Sequence, residues 1–221
     1  MSEKSPRKIR SDGEQSRERL LQAAMGLFAA QGFNATSTRE IALAAGANVA
    51  AIAYYFGDKA GLYRATLTDF MPPPERNIAQ FDQPGFTLRQ ALHGYYTQLL
   101  APMMEGDTAQ LRLRMWLREV LEPTGIWQNE IDNGIRPEFD ALATVLARYL
   151  DIPVDDEVRR LGHAVAALGA HLMVSMDIVA AVTPQLMAGP HALQAWLPRL
   201  VDYAQAIVAA EQEKRKMGAA A

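Results

Sequence analysis

Residues 37–59 read STREIALAAGANVAAIAYYFGDK. Ser37 is followed three positions later by Glu40, the pattern of a capping box that opens a helix at once. Ile41, Ala42 and Ala45 give that helix an inward face, and Gly46 permits a sharp turn. A second short helix starts near Val49, returns Ile52 to the inner side and leaves Phe56 just beyond it. Two helices this short bury too little surface alone, so they must pack on a third.

The spacing narrows the options. A helix-turn-helix that grips DNA wants a small residue where its helices cross and a permissive one in the turn four later. Ala42 and Gly46 meet both needs, and Ile52 anchors the second helix. A plain α-hairpin has the same outline, and on spacing alone both readings stay open. The exposed side of the second helix favours DNA. Asn48, Val49, Ala50 and Ala51 keep its start small enough to approach base edges, and their methyls can meet a thymine methyl. Tyr54 and Tyr55 can hydrogen-bond phosphates. Lys59 opens the next helix beside N–H groups that favour an anion, and Thr38 and Arg39 can serve the opposite groove wall. Tyr55 as half-buried core and Arg39 as half of a surface ion pair are the competing readings.

Upstream, Leu20, Leu21, Ala24, Leu27 and Phe28 form the stripe of the third helix, ended near Gly32. Downstream, Pro72-Pro73-Pro74 breaks the chain after Phe70 and Met71. Charge divides at the same place: residues 1–71 carry net +2, with +3 in the first ten residues, and residues 72–221 carry net −5. The expected layout is a disordered basic arm over 1–12, a helix-turn-helix domain over 13–71, a helical ligand-binding and dimerisation domain over 75–213, and a disordered tail over 214–221. The arm, with Lys4, Arg7, Lys8 and Arg10, is either a solvated tail or a reach toward a phosphate or minor groove.

The chain has 221 residues, 49% hydrophobic and 21% charged, the balance of a soluble globular protein. Its net charge of −3 means that nucleic acid has to be met by a local patch. Without cysteine there are no disulfides, thiolate metal sites or cysteine nucleophiles, which suits a reducing cytoplasm. No export signal is expected, because polar residues follow the basic start. Leu161–Val182 is apolar but contains Asp177, which would cost about 2.5–3.5 kcal/mol in mid-membrane. A buried helix at a protein contact is the better reading.

Helical periodicity throughout predicts an all-α protein, a three-helix head with a larger helical bundle. Bundle segments fall near 86–104, 108–121, 126–150, 156–183 and 190–213. Asp107 and Asp155 stand as N-caps, and kinks or restarts are expected at Pro137 and Pro198. Trp196, Leu197, Leu200, Val201, Ala204, Ile207 and Val208, with Val174 from the preceding helix, form the expected dimer interface, though an intrachain core would use the same stripe. Tyr95, Met103, Met104, Trp116 and Trp127 are candidates for a pocket that accepts varied apolar effectors. Arg114 and Arg118 either greet an anion or pair at the surface. His93, His163, His171 and His191 show no metal spacing, and His163 and His171 read as buried core histidines. No catalytic elbow or glycine-rich phosphate loop is present. Neither cofactor, metal nor enzymatic activity is expected.

Residues 16–70 resemble the N-terminal domain of the tetracycline-repressor (TetR) family of transcriptional regulators. The likeness rests on LLxAAxxLFAxxGF at 20–33, TSTREIA at 36–42, the A-G turn, and YYFGDKAGLY at 54–63. Residues 118–142, with NVAAIAYYFG, are similar to the CecR-like subgroup. The resemblance implies a cytoplasmic homodimer, most often a repressor, on a palindromic double-stranded operator, released by a small-molecule effector and not tied to a membrane. Carried over by position, it implies DNA contacts from Thr38, Arg39, Val49, Ala50, Ala51, Tyr54, Tyr55 and Lys59, joined by Asn48 at the helix start. Many members have tyrosine where this chain has Ala53, and polar residues where it has Ala50 and Ala51. Apolar contact and DNA shape are therefore the expected readout. Two other readings are a constitutive helix-turn-helix protein without effector, and an all-α carrier or enzyme for hydrophobic molecules with a vestigial head.

Overall fold

A computed structural model describes residues 6–69, 72–104, 106–189 and 191–219. Its described residues form helices and turns with no strand, in two compact units.

The first unit joins residues 1–71 to Asp107–Gln128. Helix α1 (Pro6–Ala35) breaks its regular geometry at Gly32. Leu20, Leu21, Ala24 and Phe28 of its stripe are fully buried, and Leu27 is half-buried. Onto the stripe pack α2 (Thr38–Ala44), α3 (Ala50–Phe56) and α4 (Lys59–Thr68). Ile41, Ala42, Ala45 and Ile52 join α1 in one apolar cluster. Gly46 makes the turn at φ 59°, a left-handed value that costs glycine little. At Gly61 a Cβ would lie 2.0 Å from the Phe56 carbonyl oxygen, so α4 can begin this close to the end of α3 only with glycine there.

Helix α7 (Asp107–Leu121) belongs to this unit as well, against α1 and α4. The boundary expected at residues 71–75 therefore does not place the 108–121 segment with the bundle. Met115 and Trp127 are buried in the head cluster, and Leu111, Trp116 and Ile126 lie against it. The short α2 and α3 leave part of α1 uncovered, and α7 supplies that cover.

The second unit holds α5 (Pro74–Ile78), α6 (Leu88–Met104), α9 (Arg136–Leu150), α10 (Asp156–Val182) and α11 (Ala192–Ala219). The short α8 (Gln128–Glu130) and a π-helical turn, Ile131–Ile135, lead into α9, so the restart expected at Pro137 falls one residue into a helix. Asp155 caps α10 by accepting from the Val158 N–H at 2.8 Å. Asp107 is instead the first residue of its helix. Helix α11 continues through Pro198, while α10 breaks its geometry at Ser175.

Leu200, Val201, Ala204 and Val208 are buried within the protomer, where α11 packs on α6, so they are not free to meet a partner. Trp196, Leu197 and Ile207 are half-buried, and Val174 is 58% exposed. His163 and His171 are exposed, contrary to their reading as core. Leucines and valines supply that core, and the His163 ring lies at the surface 4.1 Å from that of Phe139.

Helix already runs from Pro6, and at the other end to Ala219, so neither expected disordered segment is irregular where it is described. Of the arm, residues 1–5, including Lys4, lie outside the described residues, as do 220 and 221 of the tail. The tail holds its helix through ion pairs. Arg215 meets Asp155 at 2.9 Å and Glu211 at 2.7 Å, and Lys216 meets Glu213 at 3.1 Å. Cations near a helix C-terminus also suit its dipole.

Candidate nucleic-acid interface

Ser37 and Glu40 close the capping box that begins α2: the Glu40 N–H donates to Ser37 Oγ at 3.1 Å, and the Ser37 N–H donates to Glu40 Oε2 at 2.8 Å. Hydrogen bonding from the Ser37 backbone N–H, and then from its hydroxyl, holds the Glu40 carboxyl below its usual pKa. Thr38 and Arg39 therefore sit in the first turn of a well-defined helix, Thr38 half-buried and Arg39 exposed. At the start of α3, Asn48 Oδ1 accepts from the Ala50 N–H at 2.9 Å. The Asn48 side-chain oxygen is thus engaged in the turn, while the residue itself is exposed.

The outer side of α3 consists of Val49, Ala50, Ala53 and Tyr54. Val49 is 44% and Tyr54 82% exposed, and Ala50 and Ala53 are also exposed. Ala51 and Tyr55, expected among the DNA contacts, lie half-buried against the head cluster instead. Helical geometry separates them: positions 50, 53 and 54 share one side, and 51, 52 and 55 turn inward. Tyr55 also steadies Tyr54, whose ring meets it edge-on at 4.8 Å.

Lys59 is half-buried, with Nζ 4.4 Å from the centre of the Phe33 ring. The N–H groups expected to favour an anion beside it are partly engaged, because Asp58 Oδ1 accepts from the Gly61 N–H at 2.7 Å. The Lys59 ammonium itself, not the helix start, is therefore the cationic feature here.

Behind this face runs a network that the sequence reading missed. Glu119 of α7 is 5% exposed, yet its carboxylate accepts from Tyr63 Oη at 3.0 Å, the Thr124 N–H at 2.8 Å and Thr124 Oγ1 at 2.9 Å. Burial, then the bond to Glu119, pushes the Tyr63 phenol above its usual pKa. The Tyr63 ring meets Phe28 edge-on at 4.9 Å and Phe33 at 5.1 Å. A buried carboxylate is tolerable only when satisfied in this way. No local signal foretold it, since Tyr63 and Glu119 are 56 residues apart.

The expected effector residues do not gather in either unit. Tyr95 and Met103 are buried in the second unit, and Met104 is 44% exposed. Trp116 and Trp127 line the apolar cluster of the first. The indole N–H of Trp127 finds no acceptor. Arg114 is exposed, while Arg118 reaches the Ala30 carbonyl oxygen at 3.4 Å and Glu122 at 3.5 Å, the surface role of its two readings. Among the described residues no group of His, Asp or Glu is arranged to hold a metal ion.

Comparisons with known proteins place both regions. Residues 20–66 match the family model "Bacterial regulatory proteins, tetR family", and residues 88–211 match "HTH-type transcriptional dual regulator CecR, C-terminal domain". The chain is 32% identical over 168 residues to the HTH-type transcriptional dual regulator CecR of Shigella flexneri, which spans 71% of this chain and 74% of that protein. Among solved structures, native NalD, the secondary repressor of the MexAB-OprM multidrug efflux pump in Pseudomonas aeruginosa, has a similar fold. Its TM-score is 0.62 at 21% identity, over 87% of this chain and 96% of that one. A SmeT–triclosan complex gives 0.60 at 19% identity, over 86% and 90%.

Proposed function

We propose, on the premise that this chain belongs to the tetR family of bacterial regulatory proteins with a CecR-type C-terminal domain, that it reads a palindromic operator through α3 and is released by a small molecule. It is a DNA-binding transcriptional regulator. The observation that carries the operator reading is the outer side of α3: small at Val49, Ala50 and Ala53, with exposed Tyr54, on a helix preceded by α2 with exposed Arg39 and followed by α4, which Lys59 opens. A face this low lets the helix backbone approach base edges, and the flanking groups suit phosphates. It offers few side-chain donors or acceptors, so sequence is read by methyl contact and by DNA shape.

The protein works as a homodimer in the cytoplasm. Two copies of α3, roughly 34–36 Å apart, would enter successive major grooves. The interface we favour uses the exposed apolar side of α10, Val174, Ile178 and Val182, with Trp196, Leu197, Tyr203 and Ile207 of α11. A small apolar molecule in the C-terminal domain then favours a head separation that no longer fits DNA, and it does so only as far as it binds that state better. The SmeT–triclosan complex supports an effector of that character.

The test is selection of bound sites from a random duplex pool, with Lys59→Ala as the control. A palindromic consensus that the control binds about tenfold more weakly, with a salt slope shallower by about one, is the expected result. A folded dimer that retrieves no sequence would overturn operator reading and turn attention to the C-terminal domain as a carrier or enzyme.

A further inference from the structure

We infer that Glu119 is a positioning residue for DNA binding, acting through Tyr63 and Phe33 to set the ammonium of Lys59. This rests on the operator reading above and adds a residue far in sequence from the helix-turn-helix.

The chain of contacts is continuous. The Glu119 carboxylate fixes the Tyr63 hydroxyl at 3.0 Å. The Tyr63 and Phe33 rings meet in an edge-to-face arrangement with centroids 5.1 Å apart, and Lys59 Nζ lies 4.4 Å over the Phe33 ring centre. The other hydrogen bonds that Glu119 accepts come from Thr124, in the loop that follows α7. The placement of the cation that opens α4 is thereby tied to a loop more than sixty residues further along the chain. Tyr63 also meets Phe28, so a tilt of its ring is resisted from α1 as well.

Three features mark this as more than ordinary core. Thr124 supplies both its N–H and its hydroxyl, a local clamp that fixes the carboxylate plane. The Tyr63 phenol, raised in pKa by burial and by Glu119, stays protonated and keeps donating at any ordinary pH. Finally, the buried carboxylate sits at the point where α7 hands over to its following loop, where an apolar residue would complete the core with no need for partners.

A double-mutant cycle on the selected operator tests the inference, using the full chain. Tyr63→Phe keeps the ring and removes the hydroxyl, and should weaken operator binding by about tenfold. In a Lys59→Ala background the same change should cost less than about twofold, because the cation it positions is gone. Glu119→Gln, which keeps an acceptor for Thr124 and a polar partner for Tyr63, should bind within about threefold of the wild type. Thr124→Ala gives a second route to the same carboxylate without touching α4, with a loss in the same Lys59-dependent direction. Thermal melts establish that each variant is folded. If the Tyr63→Phe and Lys59→Ala losses simply add, or if folded Tyr63→Phe and Thr124→Ala both bind as the wild type does, Glu119 is structural and the inference fails. If the wild-type protein itself selects no operator, the operator reading fails first and takes this inference with it.

Discussion

Two helices present sides that no described residue of the protomer covers, and they differ in kind. On α3 the open side is Val49, Ala50, Ala53 and Tyr54, on a helix of seven residues with Arg39 and Lys59 nearby. On α10 it is Val174, Ile178 and Val182, 58%, 64% and 74% exposed, on a helix of 27 residues. Leaving three such side chains in water forgoes about 1.5–3 kcal/mol each relative to full burial. The α3 side is low and flanked by cations, so it suits a grooved polyanion. The α10 side is apolar and carries Asp177 and His171 at its margins, so it suits a second protein surface.

The sharpest way to break that contrast is to place the wrong charge on the low side. Ala50→Glu sets a carboxylate against the phosphates without touching the head core, and operator affinity should fall by about a thousandfold in fluorescence anisotropy. The melting temperature and dimer mass should stay unchanged. Ala50 is the right position because it is exposed, whereas Ala51 packs on the head cluster and a glutamate there would disturb the fold as well. Normal binding by Ala50→Glu would mean that α3 does not enter the groove.

The matching change on the other helix is Ile178→Asp. It should shift the protein from dimer to monomer in sedimentation at micromolar concentration and weaken operator binding roughly 100-fold through loss of the second head. The protomer should stay folded, because Ile178 makes little of its own core. A dimer that persists would move the interface off α10 and leave its apolar side unexplained.

The two helices were not equally legible from the sequence. The head announces itself through short-range rules: Ser37 and Glu40 form their box three residues apart, Gly46 turns where a glycine is needed, and Ile52 returns to α1. The stripe of α11 obeys the same helical rule, but periodicity gives only the face and not the partner. Leu200, Val201, Ala204 and Val208 are buried within their own chain, where α11 packs chiefly on α6, roughly a hundred residues away. For the same reason periodicity could not tell that Trp116 and Trp127, named as pocket candidates, lie against and within the head cluster. A rotation of one residue separates Ala50 from Ala51, and only the packing of α3 on α1 resolves it. The carboxylate of Glu119 had no local signature whatever.

The smallest effect concerns what holds the apolar side of α10 in place. Its first turn is pinned by Asp155, which caps the helix and pairs with Arg215 from the end of α11. The Arg215 guanidinium, with the Val158 N–H, holds the Asp155 carboxyl at a pKa of about 2, below its ordinary value of 3.8. A carboxyl lowered on folding stabilises the protein above its unfolded pKa and loses that contribution as pH falls toward the folded one. Asp155→Ala should therefore lower the melting temperature by about 1–3 °C at pH 5–7, in keeping with a solvent-exposed pair and a helix cap. The difference from the wild type should shrink between pH 4 and pH 2, leaving below that only what a protonated carboxyl contributes as a cap. High salt should remove part of it at neutral pH but spare the cap. Dimer strength should follow the same pH course if the clamp orients α10 toward its partner, and should ignore it if the apolar side docks regardless of how its first turn is held.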